Sequence, residues 1–593
     1  MTSAPARNTD QSSELQDDLT VEIMRRYLLA TVDEMVRTTT RTAYSTVFSE
    51  ALDFTCALFD VQGRMTAQAS GIPVHAGALG DMVLDVLAKF GDDFQPGDVV
   101  LHNDPYAGGT HQGDVGAMRP MFHDGSLVGF AVNRGHWADV GGMTAGGWGG
   151  AATHIVQEAV IMPGVKVYRE GKIDREIRDF VLRNVRIPKF AWGDLQAQIA
   201  SAITAERRIA SLCERHGVAT VIEAGERAIA YSRERFLRQS AVIPDGVYEA
   251  VDYMENDGHS TERRPVKVKI TKRGSEMTID FTGSSRQVRG PINATLADTK
   301  AGVYTALLNI IDPEIPINSG CLDAVEIIAP EGSIVNARYP APVFAGLADT
   351  TDRIYETVFL ALAEAVPNRV TAGTYSSGNC TTGSGFGEDD REFVWYSFGP
   401  GGCGARAWAD GNTGEWHAMG SCMNESGEIW ENRYPLRMID YRLRTDSAGP
   451  GTWRGGFGHV KAFELTEETS LAATIDRNIF PPFGLAGGLP GKCNGLTLEV
   501  EGVEQDFCTR FGTISPSKFA NLKAPKGSIY RIYSAGGGGY GPPEEREVPL
   551  VVADVRAGLV SPESAREHYK VAVDPETLEL DEAATASLRR SGS

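Results

Sequence analysis

The amino-acid sequence predicts an α+β fold of several units, with a helix-rich, hairpin-bearing N-terminal half and a β-rich, glycine-dense C-terminal half. Three observations carry this. Before residue 240, apolar side chains recur at three- and four-residue spacing over long stretches. Short apolar runs bounded by turn residues recur along the chain. After Arg369, glycines cluster at 399–404, 455–458, 484–491 and 536–541, where they punctuate short strands.

In chain order, Met24, Tyr27, Leu28, Thr31 and Met35 predict an amphipathic helix over Thr20 to Phe48, preceded by a polar, extended or disordered segment 1–18. Phe54 to Phe59 reads as a buried strand, Asp60 to Gly63 as a turn and Arg64 to Ala69 as a return strand. A helix is expected at Leu79 to Phe90 and a strand at Val99 to Leu101, which runs into the polar loop His102 to Asp114. Helices follow at 179–186, 194–216 and 222–239, then strands at 248–254, 266–270 and 277–281, and helices at 298–311 and 352–365. The expected units are therefore 19–240, carrying the candidate metal ligands, a mixed α/β region 241–370, a β-rich region 371–550 and a helical tail 551–593.

Composition excludes several classes. The 593 residues are 42% hydrophobic, 23% charged and carry a net charge of −21, with no basic run, which argues against nucleic acid or an anionic membrane surface as partner. No apolar stretch is long enough for a bilayer and the N-terminus has no signal core, so a soluble cytoplasmic protein is expected. Eight cysteines without a C-x-x-C pair argue against a disulfide framework or a zinc ribbon.

Four of the eleven histidines, His102, His111, His123 and His136, fall within one short stretch. Gly116 to Phe122 and Leu127 to Asn133 flank the turn signal His123-Asp-Gly-Ser126 and predict a hairpin. In the simplest register Phe122 faces Leu127 and Gly113 faces His136, which brings Asp114 to the same end as His136. His111 can fold back to that end and His123 cannot. His111, His136 and Asp114 suit zinc, manganese or iron(II), and a fourth carboxylate can come from Asp53 or Glu50 upstream. The plainer alternatives are that Glu50 ends a helix, that Asp53 caps a turn, and that His136 and Asp139 pin a glycine-rich loop. Glycines 141–150 read as a flexible loop able to close over a substrate. Gly536 to Gly541 lacks a Lys-Ser/Thr ending and reads as a turn, not as a nucleotide loop. No G-x-S-x-G occurs and no cysteine is near the histidines in sequence, so a protein nucleophile is the weaker case.

The stretches 49–60 (SEALDFTCALFD), 103–114 (NDPYAGGTHQGD) and 133–142 (NRGHWADVGG) resemble signature segments of the hydantoinase B and 5-oxoprolinase family. Asn184 to Gln198, Arg433 to Arg437 and Gly536 to Pro542 extend the likeness along nearly the whole chain. The resemblance implies metal ligands at His111, Asp114 and His136, with Asp53 as the acidic fourth ligand and Glu50 as its competitor. Trp137 stands where many members have a second histidine. It implies one divalent ion, zinc, manganese or iron, with Glu50 or Asp139 as proton carrier. It further implies a hydantoinase A-like partner that binds ATP and Mg, in an assembly of two A and two B chains. The implied activity is ATP-dependent hydrolysis of a cyclic amide, such as a lactam, a hydantoin or 5-oxoproline. The alternatives are a subunit of an acetone or acetophenone type ketone carboxylase and a non-catalytic scaffold for the ATPase subunit.

Overall fold

The structure is a computed structural model that describes residues 9–69, 71–416 and 419–591. Its N-terminal half contains, in chain order, α1 (Thr9–Thr42), α2 (Thr46–Ser49), β1 (Phe54–Phe59), β2 (Met65–Gln68), α3 (Pro73–Phe90), β3 (Val99–His102), β4 (Asp114–His123), β5 (Ser126–His136), β6 (Val165–Arg169) and β7 (Lys172–Ile173). The strands form one sheet in the order β2-β1-β5-β4-β3-β6-β7. α1 starts earlier than expected, because residues 9–19 contain neither glycine nor proline to stop it. Residues 1–8 of the expected extended segment lie outside the described residues. α1 also ends before Phe48: one carboxylate oxygen of Asp194 accepts the amides of Tyr44 (2.7 Å) and Ser45 (3.0 Å), turning the chain, and Ser45 then caps α2. α3 begins six residues ahead of Leu79, with Pro73 in its first turn, where a missing N–H costs nothing.

Strand alternation gives the sheet two distinct faces. On β5, Asn133 points toward α1 and the Pro188–His216 helix, where its amide donates to Thr39 Oγ1 (2.7 Å) and Ser201 Oγ (3.0 Å). Arg134 and His136 therefore point to the opposite face, over which α3 lays Met82 against Gly116. The next sheet begins at Gly246, with β8 (Gly246–Met254), β9 (Arg264–Arg273), β10 (Glu276–Asp280) and β11 (Glu326–Ile328) in the order β11-β10-β9-β8. A change of sheet falls at this point in the chain. The hydrophobic core nevertheless runs unbroken from Leu28 through this middle region to Met419.

In the C-terminal half, β12 (Cys380–Phe386) and β13 (Glu392–Ser397) join strands 469–474 and 518–524 in one sheet, and five further strands form another. Gly536 to Gly539 is not a tight turn. It is a buried thread: Gly537 donates to Gly456 O (3.0 Å) and Gly538 to Gly373 O (2.8 Å), while the Gly537 carbonyl accepts from Gly449 (2.7 Å). A β-carbon on Gly537 would sit 1.9 Å from the Cys403 carbonyl oxygen, so backbone packs on backbone and only glycine fits. The tail forms helices at Val548–Arg556, Pro562–Glu567 and Glu582–Ser591, the first two of which share a small core with Ala448 and Phe457 of the β-rich region.

A buried ion network joins the middle and C-terminal regions. Arg353, on the Thr351–Leu362 helix, pairs with Asp252 of β8 (3.1 Å) and with Asp476 (3.2 Å). Arg477 pairs with Asp252 (2.9 Å) and Glu356, and Lys518 with Asp476 (2.8 Å). Burial opposes the charge on Asp252, but Arg477 and Arg353 hold its carboxyl down at about 2. A depressed carboxyl contributes stability above its unfolded value and loses it as pH falls through its folded one. Asp252→Asn should therefore lower stability at pH 7 by about 2 kcal/mol. Urea unfolding measured across pH should show the gap to the parent closing as pH falls from about 4 toward 2. An equal gap at all pH values would contradict this.

Candidate metal centre

The predicted hairpin register holds at the turn, where Phe122 faces Leu127 and His123 faces Ser126. Asp124 and Gly125 both have positive φ there, which matches the right-handed strand twist. A bulge between Met121 and Phe122 then advances the pairing by one residue. As a result Asp114, and not Gly113, lies directly opposite His136. Gly113 leaves space for the ring instead, since a β-carbon on it would stand 2.6 Å from His136 Cε1.

His111, Asp114 and His136 offer ligand atoms that all lie within 4.8 Å of one another. Nδ1 of His111 is 3.2 Å from Asp114 Oδ2, and Nδ1 of His136 is 3.4 Å from Oδ1. The three residues are at most 1% exposed, so bulk water does not reach them. Both nitrogens of His111, Nε2 of His136 and Oδ1 of Asp114 are buried with no hydrogen-bond partner among the described residues. So many orphaned lone pairs in one place fit a cation. Burial opposes the charge on Asp114, yet His111 and His75 hold its carboxyl well below the usual range. Burial pushes the imidazole of His136 down, against the contact with Asp114. A carboxylate beside a neutral imidazole is the protonation state that metal ligation needs.

A small cavity of about 20 Å³ adjoins the triplet. Trp148, Phe344 and Tyr396 wall the histidines: Phe344 lies 4.2 Å from His111 and Tyr396 4.8 Å from His136, ring to ring, and Trp148 stacks on Tyr396 at 5.6 Å. Asp53 lines the same cavity, outside the tight triplet, and its carbonyl accepts the His136 amide (3.0 Å). Residues distant in sequence complete the wall. Cys380 and Cys422 both reach it, although no cysteine is near the histidines along the chain, and burial raises both thiols well above the usual range. Protonated thiols are poor nucleophiles.

Glu50 and Asp139, expected as proton carriers, stand elsewhere. Glu50 ends α2, half-buried, outside the cavity wall. Asp139 accepts from the amides of Gly141 (3.1 Å), Gly146 (3.1 Å) and Arg186 (2.7 Å) and pairs with the Arg186 guanidinium (2.9 Å), so its oxygens are committed to pinning the glycine loop. That loop is accordingly not an open flap: most of residues 141–150 are buried, and Trp148 within it faces the histidines. Trp137 points away, donating to Gln198 (3.1 Å). His123 stays at the turn, and His102 sits beside Asp85 (3.3 Å), its imidazole pushed down to about 3 by burial.

One ligand neighbour escaped the sequence: His75, whose Nε2 lies 2.9 Å from Asp114 Oδ2. The available signal was Pro73, which sets the true start of α3 and places His75 in its first turn.

The sequence profile of the hydantoinase B/oxoprolinase family matches residues 17–543. The chain is 34% identical to an uncharacterized protein of Methanocaldococcus jannaschii, over 94% of this chain and 96% of that one. It is 32% identical to caprolactamase subunit beta of Pseudomonas jessenii, over 97% and 99%. The crystal structure of ATP-dependent caprolactamase from Pseudomonas jessenii superposes with a TM-score of 0.88 at 30% identity, covering 97% of this chain and 99% of that chain.

If Asp139 holds the loop, Asp139→Ala should destabilise the protein by about 3 kcal/mol. Amide exchange in residues 141–147 should then accelerate while β4 and β5 stay protected. Unchanged exchange in the loop would show that Asp139 does not pin it.

Proposed function

The chain belongs to the hydantoinase B/oxoprolinase family, and on that premise we propose that it is the metal-dependent subunit of an ATP-dependent cyclic amide hydrolase. The carrying observation is the convergence of His111, Asp114 and His136, with their unpartnered buried atoms, on one cavity. Its membership and its likeness to a caprolactamase subunit support the cyclic amide as substrate class. His111, Asp114 and His136 hold the ion, with Asp53 as the fourth candidate on the same wall. A bound zinc, manganese or iron(II) ion supplies Lewis acidity and activates water at neutral pH.

The protein's own residues set the conditions for that chemistry. Trp148, Phe344 and Tyr396 exclude bulk water from the histidines, which strengthens every electrostatic interaction within the cavity. Asp114 supplies the fixed negative charge that complements a cation. The glycine clusters read as packing elements, and the chain carries no Walker motif, so the activation of the amide by ATP falls to a separate hydantoinase A-like subunit. We place this chain in an assembly of two A and two B subunits, acting in the cytoplasm. Among the described residues no helix is long and apolar enough to cross a membrane.

Purified protein should carry about one divalent ion per chain, read by elemental analysis. His111→Ala should lose the ion and at least 100-fold in turnover, on the order of what loss of a direct ligand and its activated water costs. Full occupancy in that variant would remove His111 from the ligand set. For the reaction, the chain co-expressed with an A-type subunit should hydrolyse ATP in response to a lactam, a hydantoin or 5-oxoproline, independently of bicarbonate. A strict bicarbonate requirement with a ketone, and carbon incorporated into product, would replace the hydrolase by a carboxylase.

A further inference from the structure

Asp114 is held asymmetrically. Its Oδ2 meets Nε2 of His75 at 2.9 Å, the hydroxyl of Thr110 and Nδ1 of His111 at 3.2 Å. Its Oδ1 has no hydrogen-bond partner among the described residues, and its nearest basic neighbour is His136 at 3.4 Å. The donors thus crowd one oxygen and leave the other bare, on a carboxyl group that is 1% exposed.

The fold fixes His75 from both sides. Just before α3, the Ile72 amide donates to Thr55 Oγ1 of β1 (3.0 Å), which ties the helix start to the strand that follows Asp53. On the other flank the Val74 amide donates to the Met419 carbonyl (3.2 Å). Gly77, one turn on, packs so closely that a β-carbon would fall 2.5 Å from Ala301 Cα. The imidazole is therefore brought to Asp114 by packed backbone, with Nε2 carrying the proton that Oδ2 accepts.

A free carboxylate can chelate a cation through both oxygens or bind it through one. Two donors on Oδ2 occupy its lone pairs and weaken it as a ligand, which would leave Oδ1 as the oxygen offered to a cation. We propose that His75, together with Thr110, is a positioning residue of the metal centre that makes Asp114 a one-oxygen ligand. A site in which Asp114 offers one oxygen beside two imidazoles favours the smaller, nitrogen-accepting transition ions over calcium, which takes six to eight oxygens. This rests on the metal reading above, but concerns residues that take no part in the triplet itself.

The test uses Co²⁺ as the probe on the full chain stripped with a chelator, with affinity from titration and ligand geometry from the visible absorption of the bound ion. His75→Leu and Thr110→Val should each weaken Co²⁺ binding about 10- to 100-fold, the usual cost of losing a partner behind a ligand. Both should also change the absorption bands. His75→Gln, whose amide N–H can reach the same oxygen, should restore the parent spectrum and bring affinity back to within a few-fold. Parent-like affinity and spectrum in His75→Leu and Thr110→Val would overturn the proposal. So would a His75→Gln variant as deficient as His111→Ala, because His75 would then be a ligand. Thr110→Val keeps the test decisive if the leucine variant does not fold. Absence of Co²⁺ binding by the parent protein would instead defeat the metal reading itself, before any variant is made.

Discussion

The bulge between Met121 and Phe122 is the constraint on which the centre depends, because one extra residue on the facing strand, Val128 of β5, decides what stands opposite His136. Without it the pairing would put Gly113 there and swing Asp114 to the face occupied by α1 and the Pro188–His216 helix. With it, Asp114 and His136 share the α3 face and His111 closes over them from the incoming loop. Period-two alternation makes such a choice all or nothing. It also explains the neighbours: Asn133 and Gly135 take the other face, where they meet Thr39, Ser201 and Phe48.

The hairpin was legible because its signals are local: alternating side chains, an Asp-Gly turn, and a His-x-x-Asp spacing that reaches back to the strand end. The bulge was not legible, since it answers to packing between strands. His75 was missed for a related reason. It lies 39 residues before Asp114 and looks like any loop histidine until Pro73 is recognised as the first turn of α3. Cys380, Cys422 and Tyr396 reach the cavity, and Phe344 the ring of His111, from hundreds of residues away, and no spacing rule connects them to the histidines. Asp139 shows the opposite case: the plain reading, a carboxylate pinning glycines, describes its surroundings. The α+β class and the glycine-dense C-terminal half needed only composition and periodicity.

Buried charge is handled differently in the two places where it accumulates. Around Arg353 and Arg477, carboxylates and cations meet at close range and balance one another's charge, which ties β8, the Thr351–Leu362 helix and the C-terminal strands together. Such networks contribute geometry more than net stability, since desolvation offsets much of the attraction. Around Asp114 the protein supplies imidazoles and leaves lone pairs open. The first arrangement supplies its own counter-charges, and the second sets one carboxylate among imidazoles with unpartnered nitrogens.

The thread of glycines from Gly536 to Gly539 holds its surroundings by amide-to-carbonyl contacts at distances that exclude a methyl group. Its cohesion therefore comes from hydrogen bonds and close packing, whereas the core around α1, β1 and β5 depends on apolar burial. Apolar burial weakens on cooling and hydrogen-bonded contact does not weaken in the same way. Cooling therefore bears on the apolar cores that flank the thread in both halves of the molecule, while the thread's own amide-to-carbonyl contacts are the part it touches least.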